Sequence, residues 1–404
     1  MAEPTTVDLV VSGAAELLTC SAGAPDLIGC TSGGVAVHEG RIVAVGDVSG
    51  YVGRETVDAS GKVVLPGFVD AHTHVVFGGS RVEEYAASVG GLPVPDGVPR
   101  GITGTAATTR SRSVDGLVAE AGPRLLEMLA HGTTTVESKS GYGLEVQAER
   151  RLLLANRALA DEVPMSVVST YLGAHAFPPD LAPDLWVERI LRQLPRVAAE
   201  GLATFNDVYC DEGYFDLDQT RRILETGLEH GLRAKLHLDA YSHTGAADLA
   251  IELGAVSVDH LNFTTPAEAR RLAAAGIPGV YMPCLDYTVA HPRPVRAREL
   301  AAEGLELALA TDVCPGCWTT SMQLAIAMAC RAGGLSVPQA VRAATYGAAR
   351  ALALEEEVGS LAPGLRADLL VLDLPSHEHL AYRLGRNSVE TVIKDGRILK
   401  EATR

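Results

Sequence analysis

The stretch Gly67 to His74, GFVDAHTH, follows the apolar run VVLP and carries two histidines one residue apart. On an extended strand alternate side chains share a face, so His72 and His74 would point the same way. Two imidazoles on one face are costly to bury unless one partner binds both, and the chemistry they suit is metal ligation. The bland alternative is an edge strand with two solvated histidines. Other strand-like segments end in polar residues of the same kind: Ser138 and Tyr142, His175, Asp211 and Glu212, His237 and Asp239, Asp259 and His260, and Asp312. Imidazoles of His72, His74 and His237 with the Asp312 carboxylate make the donor set of a catalytic zinc or iron ion that keeps a position open for water. A bare His-x-His is weak; with a histidine after a fifth strand and ALATD after an eighth, it is strong.

Those residues need a scaffold that gathers strand ends. Between about residues 66 and 356, short apolar strands alternate with longer amphipathic helices. The strands read as VLPGFVDAHTH, TTTVESKSGYG, VVSTYLGAH, TFNDVYCDEGYF, RAKLHLDA, SVDHLNF, IPGVYMPCLD and LELALATDVCPG. Eight strand–helix units predict an α/β fold whose parallel strands close into a (β/α)8 barrel, with chemistry at their C-terminal ends. Residues 1–65 and 357–404 are β-rich, and HEGRIVAVG and KDGRILK read as matching hairpin arms, so both termini are expected to build one small β-sandwich domain. GGLPVPDGVPRGITG reads as a long loop over the barrel mouth.

The chain has 404 residues, 47% hydrophobic and 21% charged, which is ordinary globular composition. Its net charge of −16 argues against nucleic acid, which needs clustered Lys and Arg. Seven scattered cysteines do not make a disulfide framework and fit a reducing cytoplasm. The N-terminus, MAEPTTVDLVVSG, lacks the basic flank of a signal peptide, and no apolar run approaches the ~20 residues that span a bilayer.

VVLPGFVDAHTH, KLHLD, VDHL and LALATD together resemble the amidohydrolase superfamily. AHTHVVFGGSR, ESKSGYGLE, TYLGAHAFPP and DHLNF narrow the likeness to the imidazolonepropionase family, whose members open an imidazolone ring in histidine breakdown. The resemblance runs over most of the chain. It implies one divalent metal, zinc or iron, on His72, His74, His237 and Asp312. It implies substrate contacts from Arg81, Tyr142 and His175, with His260 near the reacting water. Asp312, His260 and His175 would be the catalytic residues, Asp312 as the base, and a homodimer acting on a small molecule is expected.

Two positions depart from that family. After His237 the family places Glu or Gln three residues on, where this chain has Ala240; after Asp312 it places Asn, where this chain has Cys314. Both lost groups would hydrogen-bond the polar ring, and leaving its atoms unpaired costs roughly 1–3 kcal/mol each. The expected substrate is therefore a non-peptide amide bearing a carboxylate for Arg81, such as an N-acyl amino acid with a bulkier or aromatic acyl group. The competing readings are ring opening of imidazolone propionate and an inactive metal-binding scaffold. Cys314 and Cys317 form CPGC; a redox pair would need a thioredoxin-like setting and a zinc ribbon a second pair. Substrate contact, packing or an extra ligand remain for Cys314.

Overall fold

The computed structural model describes residues 4–400; the first three and last four residues, assigned above to the terminal domain, lie outside the described residues. Two sheets organise the chain. The first takes β1 (Thr5–Leu18), β2 (Cys30–His38), β3 (Arg41–Gly46), β4 (Tyr51–Asp58) and β5 (Val63–Pro66) from the N-terminal side. The second takes β6 (Phe68–Asp70), β7 (Thr133–Lys139), β8 (Ser166–Ala174), β9 (Phe205–Cys210), β10 (Arg233–Leu238), β11 (Ser257–His260), β12 (Gly279–Tyr281) and β13 (Leu307–Leu309). β14 (Leu369–Leu372), β15 (Val389–Lys394) and β16 (Arg397–Lys400) return to the first sheet, in the order β16-β15-β14-β5-β1-β2-β3 with β4 also on β1.

Both predicted hairpins form. Each turns on a residue pair with positive φ: Glu39–Gly40 (50° and 76°) and Asp395–Gly396 (49° and 74°), the backbone of the tight turns that match strand twist. Antiparallel pairing of Leu65 with Leu370 joins the two halves of this sheet, and Val11, Leu17, Val35, Val37, Ile42, Leu369 and Ile393 fill its apolar core.

In the second sheet β6 to β13 run parallel in chain order, the (β/α)8 barrel the alternating pattern predicts. Its last seam is closed beyond the strands. Asp312 N–H donates to His72 O (3.1 Å) and His74 N–H to Val313 O (3.0 Å), while the Asp70 carboxylate accepts from Thr311 N–H (3.1 Å) and Oγ1 (2.6 Å). Helices cover the outside; in Pro183–Ala199, Trp186, Ile190, Leu194 and Val197 are buried along one stripe.

The structure redraws three boundaries. VVLPGFVDAHTH is not one strand: Val63–Pro66 belongs to the terminal sheet, Phe68–Asp70 to the barrel, and His72 and His74 lie just past the strand end. The switch falls on Gly67, whose N–H bonds Asp368 O in one layer while Phe68 N–H bonds Gly132 O in the other. A Cβ at Gly67 would sit 2.2 Å from Thr134 Oγ1, so only glycine fits this crossing. GITG is not loop but opens the helix Gly101–Arg110, and after Met282 the PCLD of the seventh segment turns into the helix Pro283–Thr288. Among the described residues no helix is long and apolar enough to cross a membrane.

A candidate metal centre at the barrel mouth

The strand ends bring His72, His74 and His237 together, with ring centroids 4.6 to 5.9 Å apart. Asp312 Oδ1 lies 3.8 Å from His72 Nε2 and 3.9 Å from His74 Nε2. Each imidazole has its other nitrogen facing an oxygen. His72 Nδ1 is 2.7 Å from Asp259 Oδ2, and His74 Nδ1 is 3.3 Å from Ser140 O. His237 Nδ1 lies 3.0 Å from Asp207 Oδ2, a contact rather than an aligned hydrogen bond, and Asp207 Oδ1 accepts from the His237 N–H. With Nδ1 of His72 and His74 so occupied, those neutral rings present Nε2 lone pairs, and His237 turns Nδ1 toward Asp207. His72 Nε2, both ring nitrogens of His237 and Asp312 Oδ1 are buried with no hydrogen-bond partner. Convergent orphaned donors of this chemistry fit a divalent cation. Burial, with the other histidines and Lys139 adding to it, holds the His72, His74 and His237 pKa values well below the ordinary histidine range, so their lone pairs are free for a metal.

Beneath the histidines lies a lattice of buried charge that the sequence reading missed. Lys139 Nζ contacts Asp207 Oδ2 (2.7 Å), Glu137 Oε1 (2.8 Å) and Asp259 Oδ2 (3.3 Å), and Lys235 Nζ lies 3.3 Å from Glu137 Oε1. All five side chains are fully buried. Burial works against the Lys139 charge, but Asp207, Glu137 and Asp259 outweigh it and keep the ammonium protonated. Asp207 and Asp259 are thereby held against the two histidines they orient. The available signal was the strand period of two: Lys139 follows Glu137, Lys235 precedes His237, and Asp207 sits on a strand read only for its end.

Above the histidines, a cavity of about 280 Å³ is lined by His74, Arg81, Tyr142, His175, His237, His260, Asp312 and Cys314, together with Ile102, Tyr209, Tyr214, Tyr241, Leu285, Val289 and Gly316. Burial pushes His175 and His260 down to about 4, so both rings are neutral near pH 7. His175 stacks on His74 at 4.7 Å, and its Nδ1 lies 3.1 Å from Gly141 O, which leaves Nε2 as an acceptor. Arg81 pairs through Nε with Glu84, and its terminal nitrogens lie beside Gly316. Tyr209 and Tyr214 stack at 4.0 Å. Asp239, His260, Leu261 and Asp312 all have φ between 50° and 86°, a left-handed backbone that collects where strand ends turn their side chains into a site.

Other strand-end residues do not reach the cavity. Ser138 bonds Asn156 (2.7 Å), Asp239 bonds Thr244 and Thr264, and Asp211 accepts from Tyr241 N–H and Ser242. Ala240 is buried but too short to line the cavity. Cys317 Sγ lies 3.7 Å from Thr288 Oγ1, away from Cys314's place at the wall.

Residues 63–399 match the model of the amidohydrolase family. The chain is 42% identical to the imidazolonepropionase of Halobacterium salinarum, covering 98% of each protein. It is 40% identical to that of Geobacillus kaustophilus, covering 91% of this chain and 90% of the relative. In fold it is similar to a zinc-bound adenosine deaminase from Xanthomonas campestris (TM-score 0.72, 20% identity, 98% of this chain and 94% of that one). It is also similar to atrazine chlorohydrolase from Arthrobacter aurescens complexed with zinc (TM-score 0.73, 17% identity, 97% and 95%). The family match, the relatives over nearly the full length and the histidine–aspartate centre at the barrel mouth lead to one assignment: this chain belongs to the amidohydrolase family and is a hydrolase of carbon–nitrogen bonds other than peptide bonds.

Proposed function

We propose that the chain hydrolyses the amide of a small N-acyl amino acid whose acyl group is flat and apolar. The observation that carries this reading is the cavity wall. Tyr142, Tyr209, Tyr214, Tyr241, Ile102, Leu285 and Val289 surround it, Arg81 is its one guanidinium, and Cys314 stands where the imidazolonepropionase pattern has an amide. Aromatic walls suit a planar acyl group, and the terminal nitrogens of Arg81 suit a carboxylate gripped through two parallel hydrogen bonds.

His72, His74, His237 and Asp312 would hold one divalent ion, zinc or iron. When bound, the ion supplies Lewis acidity toward the amide carbonyl and a water acidified toward neutrality. Asp312, buried at the cavity beside the histidines, would take the attacking water's proton and return one to the leaving nitrogen. Neutral His260 faces the cavity as a hydrogen-bonding group for the carbonyl oxygen. His175, with Nδ1 committed to Gly141 O, presents Nε2 as an acceptor, which suits the substrate amide N–H. The products are a carboxylate and an amine.

Opening of imidazolone propionate is the second reading, favoured by 42% identity over 98% of a curated imidazolonepropionase. Metal-loaded protein assayed against both N-aroyl amino acids and imidazolone propionate separates them. The first reading expects turnover of the aroyl amide, with Ala240→Glu/Cys314→Asn moving preference toward the ring; efficient ring opening by the unaltered chain with no amide turnover overturns it.

A further inference from the structure

The terminal sheet carries a second cluster of metal-ligating side chains, remote in sequence from the barrel centre. Glu16 lies on β1 and Cys30 opens β2; the register pairs Leu18, two residues after Glu16, with Cys30. His377, 361 residues beyond Glu16, arrives from the segment after β14 and is pinned there. Glu16 Oε2 accepts from the His377 backbone N–H (2.7 Å) and lies 2.9 Å from its Nδ1. One donor atom from each of Glu16, Cys30 and His377 falls within 4.8 Å of the others, the same spacing that His72, His74 and His237 meet. Glu378 stands beside them, its carboxylate 3.8 Å from His377 Nδ1.

The charge balance of this cluster is the second observation. Among the described residues, the ion pairs of Glu16 and Glu378 go to His377 alone, with no lysine or arginine in reach. Two carboxylates and a thiol gather about His377, with Ser376 and His379 also acting on Glu378. A sulfur, a nitrogen and carboxylate oxygens are a zinc donor set, softer than calcium or magnesium would select.

We propose that Glu16, Cys30 and His377, completed by Glu378, bind a zinc-type divalent cation that ties the N-terminal hairpin to the C-terminal segment. Binding displaces the Cys30 thiol proton to solvent and forms the sulfur–metal bond, with no redox change. The ion contributes stability rather than catalysis, because it favours the folded arrangement of two segments that are far apart in the chain.

The test uses the untagged full-length chain, stripped with chelator and reloaded with Zn²⁺. Metal content is expected to fall by one equivalent per chain in Cys30→Ser and in His377→Ala while turnover is retained. A cobalt-loaded sample is expected to lose a thiolate charge-transfer band in Cys30→Ser but not in Cys314→Ser, which separates this thiol from the one at the barrel mouth. In the unaltered chain, Zn²⁺ is expected to slow alkylation of Cys30 about tenfold or more, since a ligated thiolate is withdrawn as a nucleophile. Equal metal content in all variants, or alkylation of Cys30 at one rate with and without Zn²⁺, overturns the proposal.

Discussion

At the scale of single residues, Asp259 and Arg81 have separable roles. Asp259 Oδ2 meets His72 Nδ1 at 2.7 Å, fixing the tautomer that leaves Nε2 free. Asp259→Asn is expected to weaken metal binding by roughly 10- to 100-fold, read by competition with a chromogenic chelator, with the fold intact by circular dichroism. Arg81→Met removes a charged hydrogen-bonding partner worth about 1.5–3 kcal/mol, so KM for a carboxylate-bearing substrate is expected to rise by roughly 10-fold or more with kcat little changed. An unchanged KM would mean the guanidinium, already paired with Glu84, does not grip substrate. The proposed ligands were legible because His and Asp at strand ends are conspicuous. Asp207 and Lys139 were not: nothing in TFNDVYC or ESKS shows that their side chains meet beneath the histidines rather than in solvent.

At the scale of elements, β7, β9, β10 and β11 share one ionic lattice. Lys139→Met leaves Asp207 without its paired buried ammonium and Glu137 with Lys235 alone, and is expected to destabilise the chain by roughly 3–5 kcal/mol, measured by denaturant unfolding. Stability equal to the unaltered chain would mean that these carboxylates are neutral in the folded protein. Gly67 is a second such point, because the chain changes sheets there. Gly67→Ala places a Cβ against Thr134 Oγ1 at 2.2 Å and is expected to cost about 1–3 kcal/mol, with Thr134→Ala restoring most of it; no rescue would place the strain elsewhere. The period of strand and helix made the eight barrel units legible. The unbroken apolar run through VVLPGFVD hid the sheet change, since both layers bury that segment and only glycine marks the crossing.

At the scale of the whole molecule, the terminal sheet and the barrel meet through β5 and β6, so the segment that closes one layer delivers His72 and His74 to the other. Composition predicted a globular chain and spacing predicted a barrel, but the tyrosine wall emerges only when Tyr209, Tyr214 and Tyr241 from the ends of two strands converge on one cavity. That convergence, of Tyr209 on β9, Tyr214 just after it and Tyr241 after β10, underlies the substrate proposal, and the histidine–aspartate centre underlies everything above it. Anomalous diffraction at the absorption edge of the bound metal, recorded on crystals of active protein, tests that centre directly. The account predicts a peak bounded by His72 Nε2, His74, His237 Nε2 and Asp312; active crystals with no anomalous density among these four side chains would contradict it.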